Sequence, residues 1–248
     1  MSDIPFTRNN LDGYLKELSK EFRKINGNRL PAEIILIGGA SILLNYGFRE
    51  MTYDMDAIIQ ASSAMKEAIN HVGDRLGLPT GWLNTDFMKT SSYTPKLIQY
   101  SKYYKTFSNV LTIRTVSAEY LVVMKLMAGR RYKNDLSDII GILLEQRDRE
   151  KEISLNHIKR AAEELYDGYE NLPEDSRVFI EEVYQNPDLK TLYANVRKEE
   201  KKSREILLEF EEDYPNVLNG DNVVDILKTA KTRRDNTQYS LHRHFTQI

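Results

Sequence analysis

Two short signals in one apolar stretch constrain this chain more than anything else in it: "LIGGASILLNYGFREMTYDMDAII", residues 36–59. An apolar strand runs straight into Gly38-Gly39, and a short helix follows at once. That order puts bare backbone N–H groups at a helix N-terminus, where an anion binds, and glycine lets a phosphate approach the backbone closely. Fifteen residues past the second glycine, Asp54 and Asp56 enter the next apolar strand. Strand side chains alternate between faces, so the two carboxylates share one face, roughly 6.5–7 Å apart. Met55, Ala57 and Ile59 take the other face. Like charges so placed repel each other unless a cation sits between them. Mg²⁺ suits that place, being a hard cation that carboxylates commonly share with substrate phosphates. Each half has a plainer explanation: a tight Gly-Gly turn, and an edge strand with two solvated aspartates. Together they are more specific, because one half grips phosphate oxygens and the other holds the metal that bridges them.

Composition removes most competing chemistries. The chain has 248 residues, long enough for one large domain or two small ones. It has no cysteine, which excludes disulfides and thiolate metal sites, and its four histidines (His71, His157, His242, His244) are too scattered for a zinc enzyme. The net charge of -2 argues against a surface coated in positive charge for sequence-blind nucleic-acid binding. No apolar run is long enough to span a membrane, and MSDIPFTRNN lacks the basic-then-apolar layout of a signal peptide. The expectation is a cytoplasmic protein without a membrane partner.

Helical and strand signals mix in the first 150 residues. Leu11, Tyr14, Leu15, Leu18 and Phe22 mark a helix over 10–26. The pattern then predicts a strand over Glu33–Ile37, a helix over Ala40–Tyr46, a strand over Thr52–Ile59 and a helix over Ser62–Leu76. Residues 80–109 resist assignment. Val110–Val116 alternates like a strand, and Ser117 caps a helix running to Ala128. Beyond 150 only helices are expected, near 154–167, 173–185, 188–213 and 221–234. The charge-dense run RKEEKKSRE (197–205) reads as a solvated helix face. This is an α+β chain with domains over 1–150 and 151–248, the second all-helical.

A second constellation lies in "SAEYLVVMKLMAGRRYKNDLSDII", residues 117–140. Lys125 is the one polar residue between Tyr120 and Ala128, on a helix apolar nearly all round, so it needs an anionic partner or a route to water. It reads either as a snorkelling lysine or as a cation that neutralises a triphosphate. Arg130, Arg131 and Lys133 form a basic knot just beyond it. Asp135 and Asp138, three apart, share a helix face, and Asp135 also suits the helix dipole.

The first stretch resembles the nucleotidyltransferase superfamily with the polymerase-β-like fold. Arg49, Thr52, Asp54 and Asp56 (R-x-x-T-x-D-x-D) look like the version in AbiEii-type toxin nucleotidyltransferases and related bacterial proteins. The second stretch looks like their K-L-x-A-x-R…D-x-x-D block. The resemblance implies a nucleotidyltransferase-type mixed sheet flanked by helices, with Mg²⁺ bound by Asp54 and Asp56. It implies triphosphate contacts from Gly38, Gly39 and Ser41, beside Arg49, Lys125 and Arg130, with Lys125, Asp135 and Asp138 in the active site. The implied reaction moves NMP from an NTP to an acceptor hydroxyl on RNA, tRNA especially, or on a protein, in a toxin or phage-defence system with a cognate antitoxin partner.

One departure from that pattern concerns a third acidic residue, which many members carry on a later strand. Val110–Val116 offers Thr112 and Arg114 but no acid, so Asp135 takes the role, or Asp86 does, or it is lost. Loss would leave an inactive nucleotide-binding or interaction module. A small-molecule acceptor, as in antibiotic nucleotidyltransferases, would instead need an acidic pocket, for which Glu163-Glu164 or residues 209–213 are available. Trp82 and Asn84 either line an acceptor or nucleobase pocket or, for Trp82, anchor the core. The tail KTAKTRRDNTQYSLHRHF (228–245) is the one basic, aromatic-containing segment that could meet RNA phosphates.

Overall fold

The computed structural model describes residues 4–27, 30–220 and 222–233. In chain order the elements are β1 (Phe6–Thr7), α1 (Arg8–Asn26), β2 (Ala32–Leu36), α2 (Gly38–Asn45), β3 (Met51–Thr52), β4 (Met55–Gln60), α3 (Ala64–Leu76) and β5 (Leu83–Asn84). After two 3₁₀ turns come β6 (Ser101–Phe107), β7 (Leu111–Val116), α4 (Ala118–Ala128), α5 (Asp135–Asp148), α6 (Leu155–Tyr166), α7 (Glu174–Gln185) and α8 (Leu189–Asp213). A last helix spans 223–233.

Five strands make one mixed sheet in the order β5-β4-β2-β7-β6. Strand β2 lies at its centre, antiparallel to β4 and parallel to β7. Its sequence, AEIIL, is apolar at successive positions because both faces are covered. Ile34 and Leu36 face α1 and α3, together with Met55, Ala57 and Ile113. Ile35, Ile37, Ile58 and Val116 face α4 and α5. The second cluster runs on without interruption past residue 150, taking in Ile158, Ala161, Ile180 and Val183 of α6 and α7. No strand follows residue 150 among the described residues. Nor is any helix among them long and apolar enough to cross a membrane.

The expected strand over Thr52–Ile59 is broken. Met51 and Thr52 leave the main sheet to pair with Phe6 and Thr7 in a separate two-stranded ladder, and the chain bends at Tyr53 before β4 begins. Asp54 therefore sits in the turn ahead of the strand, with Asp56 on it. The run 197–205 also departs from expectation. Most of it is solvated, but Glu200 and Ser203 are buried against α5, since α8 packs there along its length. Trp82 is a core anchor: it is buried, donates Nε1–H to the Ile69 carbonyl at 3.0 Å and stacks on Phe6.

Gly141 on α5 shows how tightly the helix meets the loop after α2. A β-carbon there would lie 2.7 Å from the Phe48 ring, which is held between Tyr46 and Tyr193. Gly141→Ala gains about 1 kcal/mol of helix propensity but overpacks at a cost of about 1–3 kcal/mol. The expected result in urea unfolding is a lower midpoint and a net loss of about 1 kcal/mol.

Candidate active site

The site begins where β2 ends. Gly38 has φ +53°, which disfavours any side-chain-bearing residue, and it opens α2 rather than preceding it. The first intrahelical bond of α2 is from Ser41 N–H to the Ile37 carbonyl, so the N–H groups of Gly38, Gly39 and Ala40 have no partner within the helix. A β-carbon on Gly38 would come within 3.7 Å of Asp56 Oδ2. One on Gly39 would lie 2.6 Å from Thr52 Oγ1 and 2.9 Å from Arg49 Nη2. The glycines are thus fixed by close approach as well as by backbone angle. Ser41 is fully buried, and its Oγ has no hydrogen-bond partner among the described residues.

Asp54 is exposed and Asp56 half-buried beside it. Thr52 Oγ1 donates to the Asp54 carbonyl at 3.2 Å and reaches its Oδ1 at 3.4 Å. Burial, then the charge of Asp54, pushes the Asp56 carboxyl above the ordinary range; Lys133 and Arg130 pull it down, and Asp86 pushes it up again. Lys133, Arg130 and Asp86 are thus charged side chains whose fields reach Asp56. Asn84 lies beside Asp56 in the β4–β5 register and accepts the Asp86 N–H at 2.9 Å, which ties down the loop that carries Asp86. Among the described residues no side-chain cation is bonded to Asp54 or Asp56, and no group of three or more acidic or histidine side chains could hold a metal.

Lys125 is placed differently from a free phosphate-binding cation. It is buried, and its Nζ lies 2.9 Å from both Asp135 Oδ1 and Asp138 Oδ2. Burial works against its charge, but the two carboxylates outweigh burial and hold the ammonium above lysine's ordinary value. Asp138 Oδ2 also takes Arg49 Nη1 at 2.6 Å, and Asp135 Oδ2 takes Arg130 Nε at 2.7 Å. Burial would raise Asp135, yet Lys125 and Arg130 bring it down to about 2. The three cations and two carboxylates form one network. Arg49 brings it against Gly39, and Arg130 brings it within the field of Asp56. Of the expected residues, Gly38, Gly39, Arg49, Asp54, Asp56 and Arg130 come together, and Lys125 and Asp135 lie behind them.

Sequence reading missed Glu200, whose Oε1 accepts the Leu136 and Ser137 N–H groups at 2.9 and 3.2 Å. Nothing in a run of mixed charges distinguishes it from its solvated neighbours. The C-terminal tail beyond residue 233, including His242 and His244, lies outside the described residues; within them Lys231 sits 3.8 Å from Glu199.

A family model described as a nucleotidyltransferase of unknown function (DUF6036) matches residues 13–198. Neither the curated proteins nor the solved structures contain a match to this chain.

Two buried carboxyl groups, Asp135 in the network and Glu200 outside it, make stability depend on pH in opposed ways. Asp135 is depressed, so its contribution is present above the ordinary aspartate range and is lost as pH falls toward 2, about 2 kcal/mol in all. Asp135→Asn leaves Lys125 half-compensated and should cost about 3–5 kcal/mol at neutral pH, with that acid slope gone. Glu200 is raised by burial to about 7, so the stability it adds is present below the ordinary glutamate range and is lost as pH rises to 7. Glu200→Gln should therefore gain on the wild type above pH 7 and lose the advantage near pH 4, read from urea unfolding across that range.

Proposed function

The chain belongs to this nucleotidyltransferase family, and on that premise we propose that it moves NMP from an NTP to an acceptor hydroxyl, with Mg²⁺ held by Asp54 and Asp56. The observation that carries the reading is the contact between the two halves of the site: the Asp56 carboxylate lies against Gly38 at the start of α2, and Arg49 lies against Gly39. An oxygen-ligand pair and an anion cradle are thus adjacent. The donor set fits Mg²⁺, because burial and the charge of Asp54 raise the proton affinity of Asp56, no side-chain cation among the described residues is bonded to either carboxylate, and the substrate's oxygens can complete the shell. Mg²⁺ bound there supplies charge neutralisation to the phosphates and lowers the barrier to pyrophosphate departure.

The chain's own groups do the rest. The N–H groups of Gly38, Gly39 and Ala40 donate to phosphate oxygens. Arg49 and Arg130 neutralise charge that develops on the leaving pyrophosphate. Lys125 acts indirectly, by holding Asp135 and Asp138, which in turn aim the two arginines. The acceptor oxygen forms a bond to the α-phosphorus as the bond to the β-bridging oxygen breaks. Its proton passes to a carboxylate of the site; Asp86, paired among the described residues only with the exposed Lys89 at 2.7 Å, is the candidate, since Asp135 is committed to the buried Lys125 and to Arg130. The acceptor in this reading is an RNA or protein hydroxyl; tRNA is what the resemblance implies, and the basic residues Arg130, Arg131 and Lys133, two of whose fields reach Asp56, favour RNA. A toxin of this kind would be restrained by a cognate antitoxin. A second reading, a nucleotide-binding module without catalysis, is favoured by the lack of any three-carboxylate group among the described residues.

The test is transfer of α-³²P from each NTP, with Mg²⁺, to total RNA or protein. Label should appear in RNA, and Asp54→Ala/Asp56→Ala should abolish it. Gly39→Ala, which drives a methyl into Thr52 and Arg49, should weaken NTP binding about tenfold or more, a loss of roughly 1.4 kcal/mol. Asp86→Asn should slow transfer by roughly 10²-fold while leaving NTP affinity unchanged. NTP binding without transfer to any acceptor would favour the module, and no NTP binding would end both readings.

A further inference from the structure

Helix α5 is capped by another helix. Its own N-cap residue, Asn134, makes no side-chain cap bond. The second and third residues of α5 are Leu136 and Ser137, the positions that an N-cap side chain ordinarily satisfies. Their N–H groups go instead to Glu200 Oε1, contributed by α8 more than sixty residues later. One turn further along α8, Arg204 donates to Asn134 Oδ1 at 2.7 Å. Two residues of α8 therefore clamp the end of the 129–134 loop and the first turn of α5. That turn carries Asp135 and Asp138, whose oxygens hold Lys125, Arg130 and Arg49. Glu200 is itself 2% exposed, an expensive place for a carboxyl group, and its Oε2 and Asp138 Oδ1 are both buried without a hydrogen-bond partner among the described residues. It also lies outside the segment that the family model matches.

We propose that Glu200, assisted by Arg204, is a positioning residue: it fixes the first turn of α5 and, through Asp135 and Asp138, the aim of Arg130 and Arg49 at the nucleotide. The aim at a nucleotide rests on the transferase reading above; the hold on the arginines does not. Glutamine keeps an oxygen acceptor at this place and alanine does not, so the pair separates capping from charge.

Three readouts on full-length protein test the proposal: amide hydrogen exchange, the Arg130 Nε–H signal in NMR, and the Kd of each NTP with Mg²⁺ by calorimetry. Glu200→Gln should leave the Arg130 signal and the NTP Kd within twofold of the wild type and should protect the Leu136 and Ser137 amides at least as well. Glu200→Ala should speed exchange at Leu136 and Ser137 at least tenfold with β2 unchanged, shift the Arg130 Nε–H signal or broaden it away, and raise the NTP Kd about tenfold. Should Glu200→Ala fail to fold, Arg204→Ala, at an exposed position, should move the same signals in the same direction by less. Uniformly faster exchange with the Arg130 signal unmoved would overturn the proposal, and so would glutamine behaving like alanine. A wild type that binds no NTP would sink the transferase reading instead, while exchange and the Arg130 signal still decide what Glu200 does.

Discussion

A lysine ammonium buried between two aspartates, Lys125 with Asp135 and Asp138, is the interaction on which the rest of the site depends. Taking such charges out of water costs several kcal/mol each, and their attraction offsets this only when geometry is good and each remaining lone pair is used. Here most are used. Asp135 bonds Lys125 through one oxygen and Arg130 through the other, and Asp138 shares one oxygen between Lys125 and Arg49. The unused Asp138 Oδ1 is the exception. A hydrophobic residue at 125 could fill the same space with less electrostatic cost. What it could not do is hold two carboxylates where they orient two arginines. The network is better understood as a device for aiming charge than as a source of stability.

That device has to be joined to the backbone, and close packing does it. Arg49 Nη2 lies so near Gly39 that no side chain fits between them, and Thr52 Oγ1 fills the remaining space. The start of α2, the end of the 46–50 loop and the end of β3 are therefore set by contacts on a scale of tenths of an ångström, at which interiors transmit displacement rather than absorb it. A shift of α5 moves Asp138, hence Arg49, hence the wall against Gly39. Long-range support for a small site reduces here to a short chain of rigid neighbours, and α8 belongs to it through Glu200 and Arg204.

Much of this was legible in the sequence where local pattern and tertiary context agree. The apolar strand into Gly38-Gly39, the acid pair, the helix over Ala118–Ala128 and the four later helices all follow from periodicity and punctuation. Periodicity could not reveal that Met51 and Thr52 pair with Phe6 and Thr7, because a two-residue ladder leaves no repeat to detect; the strand expected over Thr52–Ile59 therefore came out in two pieces. Lys125 announced the need for an anionic partner, and the two candidate anions, a bound phosphate and the aspartates ten and thirteen residues on, could not be separated without the turn of chain between them. Glu200 gave no signal, since a buried glutamate in RKEEKKSRE has the same spacing and company as a solvated one. Its burial is decided by the first turn of α5, which lies over sixty residues away in sequence.

If the site takes Mg²⁺ and an NTP as proposed, its charges leave an asymmetry that bears on binding order. Three cations face two carboxylates in the network, a surplus of one positive charge, while Asp54 and Asp56 carry two negative charges a short distance away. A triphosphate arriving alone gains the arginines and the glycine N–H groups but meets the acid pair. A divalent ion arriving alone gains the acid pair but meets Arg130 and Lys133. The two together satisfy both halves, since each screens the other from the charge that would repel it. On the proposed function, metal and nucleotide would bind cooperatively on electrostatic grounds, with Asp56 and Arg130, whose fields reach each other, as the pair that couples them.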